Sequence, residues 1–210
     1  MNHPSYVEEI DYSNVRGNVL FNIYQRVLDI VLSIIGLLVG IPLIAIFGIL
    51  IKLEDNGPIT YKQERLGKSG KRFYIYKLRS MRTDAEKFGA QWAEKDDPRI
   101  TKVGKFIRKT RIDELPQLWN VIKGEMSLIG PRPEREVFYK EFEKTIPNFR
   151  DRLQVRPGLG GWAQVNGGYD ITPKEKLEYD LEYIENLSFR SEAEIFFRTI
   201  KVVLTGNGAR

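Results

Sequence analysis

The sequence predicts an α+β chain that is mostly helical. It has a membrane-embedded helix broken at Pro42, re-entrant or spanning, a small β-hairpin or sheet, and interfacial amphipathic helices around a cytoplasmic domain. Three observations lead there. Residues 30–51 carry no charged side chain over 22 positions. Two short runs rich in strand formers flank the turn Gly67-Lys-Ser-Gly70. Several later segments repeat their apolar residues with helical spacing.

Residues 1–21 read as a polar N-terminal extension, without the basic start and apolar core of a signal peptide. Residues 22–53 read as a membrane-associated helix–break–helix. As a helix, the uncharged stretch is about 33 Å long, enough for a bilayer core of ~30 Å. Pro42 stands near its middle, between Gly40 and Gly48. A mid-helix proline removes a backbone bond and clashes with the preceding turn, so a break is expected there. A broken helix can dip into the membrane and return. Flanking charge puts the C-terminal part in the cytoplasm, while the N-terminal flank, with Glu8, Glu9 and Asp29 against Arg16 and Arg26, fits either topology. Gly36 and Gly40 form a small-xxx-small pair through which a homodimer is possible.

Residues 54–210 form the remaining domain. Strands are expected at 59–64 and 72–79 around the 67–70 turn. Its Gly-Lys-Ser is no nucleotide P-loop, because the first glycine would fall at Lys62. Residues 84–100 read as loop, with Asp96-Asp97-Pro98 closing it. Helices are expected at 101–110, 114–123, 134–144 and 173–186. Residues 192–204 form an amphipathic helix, with Phe196, Phe197, Ile200, Val203 and Leu204 on one face, suited to a bilayer surface or to the domain core.

Composition narrows the chemistry. There is no cysteine, and the one histidine, His3, lies in the polar extension, so thiolate and histidine-based sites are excluded. Any acid, base or nucleophile must be Asp, Glu, Ser, Thr, Tyr or Lys. The net charge of +5 is uneven. Eight basic residues face one acid between Lys62 and Arg82, and residues 102–111 hold five bases and no acid. Such a half fits an anionic membrane surface as well as it fits DNA.

The most informative stretch is 111–133. Asp113 and Glu114 stand at a helix start, where by themselves they read as an N-cap and a dipole-complementing acid. Arg108, Lys109 and Arg111 precede them, and Arg132 is fixed between Pro131 and Pro133, a bidentate fork for phosphate. A carboxylate among cations stays ionised at neutral pH. It can then attack phosphorus or bind a divalent cation.

These stretches, taken in order, resemble the bacterial sugar transferases, the monotopic phosphoglycosyl transferases. The matching residues are Arg26-Val-Leu-Asp29, the apolar segment with Pro42, Gln63-Glu-Arg-Leu-Gly67, Tyr76-Lys-Leu-Arg-Ser-Met81 and Asp113-Glu-Leu-Pro-Gln117. They continue through Met126-Ser-Leu-Ile-Gly-Pro-Arg-Pro133, Arg156-Pro-Gly158 and Ala163-Gln-Val-Asn-Gly167. The resemblance implies a phosphoglycosyl transferase anchored in the bacterial inner membrane by a re-entrant helix bent at Pro42, its catalytic domain on the cytoplasmic face. Its substrates would be a UDP-sugar and undecaprenyl phosphate, and its product would start a polysaccharide or glycoprotein glycan. Asp113 would attack the β-phosphate, release UMP and carry a covalent phosphosugar, with Glu114 in support. Magnesium would be the cofactor, held at Asp113. Lys77, Arg108, Arg132 and Arg156 would hold phosphate or substrate. Gly160 stands where the family commonly has Thr, and Gly168 where it often has Arg. Two alternatives differ in kind: a membrane-tethered, metal-dependent transferase acting by direct displacement, and a basic module binding nucleic acid. The ordered motifs argue against the second, so no nucleic-acid partner is expected.

Overall fold

In a computed structural model, the described residues are 19–87, 89, 91, 97–167 and 171–205. Most of the polar extension with His3, Asp96, Gly168 and the side chain of Leu204 lie outside them. Helices dominate. The long helix α1 (Val19–Glu54) leads into a hairpin of β1 (Thr60–Leu66) and β2 (Arg72–Leu78). Next come α2 (Lys102–Lys109), a 3-10 turn at Ile112–Gln117, α3 (Leu118–Lys123) and β3 (Ser127–Ile129). The chain continues with α4 (Glu136–Phe142), a 3-10 turn at Phe149–Gln154, β4 (Gly158–Gly160), α5 (Trp162–Asn166), α6 (Pro173–Glu185) and α7 (Phe189–Thr205).

α1 is described as one helix of 36 residues with Pro42 inside it, about 54 Å at 1.5 Å per residue. In its most apolar window only 17% of residues are buried. A core helix of that hydropathy would be mostly covered; this one leaves Val31, Ile34, Ile35, Leu38, Val39 and Ile46 exposed. Its buried positions, Phe21, Asp29, Ser33, Gly40, Gly48 and Ile51, form one stripe. Along that side Arg26 donates to the Val121 and Ile122 carbonyls at 2.6 and 2.5 Å, capping the end of α3. Asp29 accepts from Ser127 Oγ at 2.9 Å and the Leu128 amide at 2.8 Å. Gly36 and Gly40 let Leu118 and Leu115 approach: a Cβ on Gly36 would lie 2.9 Å from Leu118 Cδ1, and one on Gly40 3.4 Å from Leu115 Cδ1. The small-residue pair therefore seats this chain's own domain, and the face expected to pair two copies is occupied from within.

The hairpin is antiparallel, pairing Tyr61 with Lys77, Gln63 with Ile75 and Arg65 with Phe73. Its turn is a 3-10 segment at Lys68–Gly70, with Ser69 and Gly70 at positive φ. Alternation puts Phe73, Ile75 and Lys77 on one face. The two apolar residues pack on Val121 and Met126, leaving the lysine further along to face a cavity. The short strands β3 and β4 pair in parallel. Leu66 joins Tyr139, Phe149, Leu153 and Leu177 in one core, while Ile129, Tyr183, Ile184 and Ile195 form another. The region read as loop also holds a Met81–Ile100 bridge.

Candidate active site

Asp113 and Glu114 owe their positions to a sharp reversal. Thr101 caps α2, accepting from the Gly104 amide at 2.9 Å, and Glu54 at the end of α1 accepts from the Lys102 and Val103 amides. α2 carries Arg108 to the cavity wall. Arg111 then adopts φ +59, a left-handed conformation that costs a non-glycine residue about 1 kcal/mol. It turns the chain into the 3-10 turn, whose first residues include both acids. The expected α-helix from 114 is therefore corrected: Arg111 occupies the N-cap position without a capping side chain, and α3 begins only at Leu118. Asp113 and Glu114 are both buried, each 6% exposed.

The acids differ in their partners. Glu114 Oε1 receives Lys77 Nζ at 2.9 Å and the Arg132 guanidinium, while Arg111 Nη1 stands 3.6 Å from Oε2. Arg132 is steadied by its backbone: Arg152 Nη2 donates to its carbonyl at 3.0 Å, and the Gly158 amide to the Pro131 carbonyl at 2.9 Å. Asp113 Oδ1 is buried with no hydrogen-bond partner. Burial, then the charge of Glu114, raise the Asp113 pKa to about 6, against the pull of Lys77, Arg108 and Arg132. Burial also pushes Glu114 upward, but Arg132, Lys77 and Arg111 prevail and hold it well below the usual carboxylate range. Asp113 thus stays mostly ionised at neutral pH, as expected of a carboxylate among cations, but burial and Glu114 bring its pKa close to that range. Those cations are bound to its neighbour.

Lys77, Arg108, Asp113, Glu114 and Arg132 all line one cavity of about 450 Å³. Arg156 does not line it. Its Nη2 donates to Gln25 Oε1 at 3.1 Å and lies 3.8 Å from Asp29 Oδ2, beside a second cavity that also includes Arg26 and Lys68. Sequence reasoning missed the other polar wall of the main cavity: Tyr61, Gln63 and Arg65 from β1, with Arg135. Their signal was the period-two spacing of the three β1 residues. Arg111, counted only within a basic run, is a third partner of Glu114.

Among the described residues no group of three or more side chains is arranged to hold a metal. The orphaned Oδ1 of Asp113 still fits one cation ligand. Glu114 is fully engaged, so a divalent cation would rest on Asp113 and on oxygens brought by a substrate. Magnesium commonly binds through one or two carboxylates plus phosphates.

A buried carboxylate beside cations bound to its neighbour, in a pocket lined with Arg and Lys, suits phosphoryl chemistry. Comparison with known proteins agrees. The model of the family described as bacterial sugar transferase matches residues 20–206. The chain is 44% identical to the UDP-N-acetylgalactosamine-undecaprenyl-phosphate N-acetylgalactosaminephosphotransferase of Aeromonas hydrophila, over 98% of this chain and 49% of that protein. It is 62% identical, over 61% of its length and 72% of the relative's, to a Bacillus subtilis (strain 168) protein named "Putative undecaprenyl-phosphate N-acetylgalactosaminyl 1-phosphate transferase". With the UDP-glucose:undecaprenyl-phosphate glucose-1-phosphate transferase of Escherichia coli (strain K12) it shares 38% identity, over 84% of this chain and 39% of the other. The chain thus spans half or less of the length of two of these three relatives. By its family match and by these likenesses, the chain belongs to the bacterial sugar transferases.

Proposed function

We propose that the protein transfers a sugar 1-phosphate from a UDP-sugar to undecaprenyl phosphate, the first step in assembling a bacterial glycan. The observation that carries this reading is Asp113, buried and with Oδ1 unpartnered in a cavity shared with Lys77, Arg108 and Arg132. In the first step an Asp113 oxygen attacks the β-phosphorus. The bond from that phosphorus to the oxygen bridging the α-phosphate breaks, and UMP leaves with the electron pair. In the second step an oxygen of the lipid phosphate attacks the same phosphorus and the Asp113 ester bond breaks, restoring the carboxylate and yielding the polyprenyl diphosphosugar. Arg132 and Lys77 balance charge on the transferring group, and Glu114 holds both in place. Magnesium at Asp113 would supply Lewis-acid stabilisation of the phosphate oxygens.

α1 would seat the domain at the cytoplasmic face of the inner membrane by dipping into the bilayer and bending at Pro42. The exposed Phe197, Ile200 and Val203 of α7, three residues apart, would lie against the interface. The names of the first two relatives make N-acetylgalactosamine the first sugar to test. The test is a panel of UDP-sugars with purified protein and magnesium, without lipid acceptor. One equivalent of UMP and a phosphosugar on Asp113 by mass spectrometry are expected, both lost in Asp113→Asn. Full UMP release by Asp113→Asn overturns the nucleophile, and release only when acceptor is added points to direct displacement.

A further inference from the structure

The inner face of the hairpin carries donors that this two-step chemistry does not use. Tyr61, the register partner of Lys77, leaves β1 on the lysine's side, and Gln63 follows two residues on. Tyr61 Oη, Gln63 Nε2 and Arg135 Nη1 converge on a single atom, Oε1 of Glu86, at 3.0, 3.2 and 2.9 Å. Arg65 Nη2 donates to Gln63 Oε1 at 2.5 Å, which turns the amide nitrogen toward Glu86. One carboxylate oxygen therefore accepts from a phenol, an amide and a guanidinium, all four groups lining the cavity that contains Asp113.

The two sides of this contact are unequal. Glu86 lies in a turn segment outside the hairpin and the Pro-Arg-Pro corner, and its side chain is 42% exposed. The Arg135 side chain is 23% exposed. Moving a half-exposed carboxylate into water costs little, whereas donors left in the cavity still need an anionic oxygen.

We propose that Tyr61, Gln63 and Arg135 form an anion subsite for the second phosphate of a nucleoside diphosphate donor, the one that leaves with the nucleoside, and that Glu86 is an internal stand-in which the donor displaces. This rests on the reading of the donor as a nucleotide sugar. The fold separates this subsite from the place where a lipid phosphate would arrive. β1 begins beside the end of α1, where Leu78 packs on Ile51, and ends at Leu66 among Tyr139, Phe149 and Leu177. From Lys77, the step to Gln63 and Arg135 leads away from α1 and toward α4. A lipid held at α1 meets Asp113 from the other side. Phe138 of α4, one turn on from Arg135 and stacked on Phe142, also lines the cavity.

The experiment titrates UMP, and separately farnesyl phosphate as a short lipid phosphate, into the purified full chain and its variants. Arg135→Met and the conservative Tyr61→Phe are expected to weaken UMP, the former about tenfold, with little effect on farnesyl phosphate. Glu86→Ala is expected to tighten UMP severalfold and to lower the donor KM while leaving the acceptor KM unchanged. A purely structural role for Glu86 gives the opposite sign, because losing three hydrogen bonds would loosen the pocket. Weaker UMP binding to Glu86→Ala, or equal binding to wild type, Tyr61→Phe and Arg135→Met, overturns the subsite alone. Effects confined to farnesyl phosphate reassign it to the lipid. UMP that fails to bind wild type refutes the subsite and the nucleotide-donor reading together.

Discussion

Replacing Glu114 by Gln isolates the feature on which the chemistry turns, the unequal division of charge between two adjacent carboxylates. In the wild type Asp113 has a pKa of about 6 against an ordinary 3.8. That difference corresponds to about 3 kcal/mol in favour of its protonated form. On the proposed mechanism only the ionised Asp113 attacks phosphorus, so UMP release without acceptor should rise with pH, along a limb that magnesium bound at Asp113 would move below 6. Glu114→Gln removes the neighbouring negative charge and leaves Lys77, Arg132 and Arg111 with Asp113 as their nearby carboxylate. Both changes favour ionised Asp113. The acid limb should therefore move down by at least one pH unit, about 1.4 kcal/mol. The plateau should fall as well, because Lys77 and Arg132, the side chains proposed to hold phosphate, lose their anchor. The assay is single-turnover UMP release measured from about pH 4.5 to 8. A limb that does not move between wild type and Glu114→Gln would show that the titrating group is not Asp113 or that Glu114 does not set it.

Other expectations are more direct. Arg132→Lys keeps the charge but loses the planar fork, and should reduce the rate of UMP release tenfold or more while thermal stability stays close to wild type. Removing divalent cations with a chelator should stop UMP release, and a magnesium titration should restore it. Asp180→Asn leaves Arg152, wholly buried and paired with Asp180 at 2.5 Å, without its hydrogen-bonded carboxylate, with Glu134 as its remaining nearby negative charge. A cost of about 3–5 kcal/mol should lower the melting temperature by roughly 10 °C, read by fluorescence in detergent. Asp29→Asn should weaken the hold of α1 on β3, seen as faster amide exchange at Leu128 and faster proteolysis between α1 and the domain.

The elements legible in the sequence were those whose causes are local. The hairpin followed from strand formers around Gly67 and Gly70, and the helix expected at 173–186 is α6, whose start the structure ascribes to Thr172, Pro173 and Glu175, a capping box with proline at the first turn. The amphipathic period of α7 likewise needed no partner to be seen. The 3-10 turn at the acids was missed because a helix start and a 3-10 start look alike in sequence; the distinction came from Arg111 turning left-handed. Adjacency told that Arg108, Arg111 and Arg132 surround two acids, but not which acid they bind. That choice rests on side-chain reach across β2 and the Pro-Arg-Pro corner. Arg156 shows the same limit. Its motif suggested phosphate, yet its neighbours are Gln25 and Asp29 of α1, a helix more than a hundred residues earlier.

The packing of α1 on the domain has a consequence for how the bilayer enters the chemistry. Leu115 and Leu118, which rest on Gly40 and Gly36, belong to the same short segment as Asp113, two and five residues away. No pliable spacer separates the helix from the turn that bears the carboxylate. If α1 is seated in lipid as proposed, the depth of the helix would set the height of the Asp113 carboxylate above the headgroups. Membrane thickness would then act as a ruler for the proposed reaction: a bilayer that draws α1 in or pushes it out would carry Asp113 with it, toward or away from the plane of a lipid phosphate.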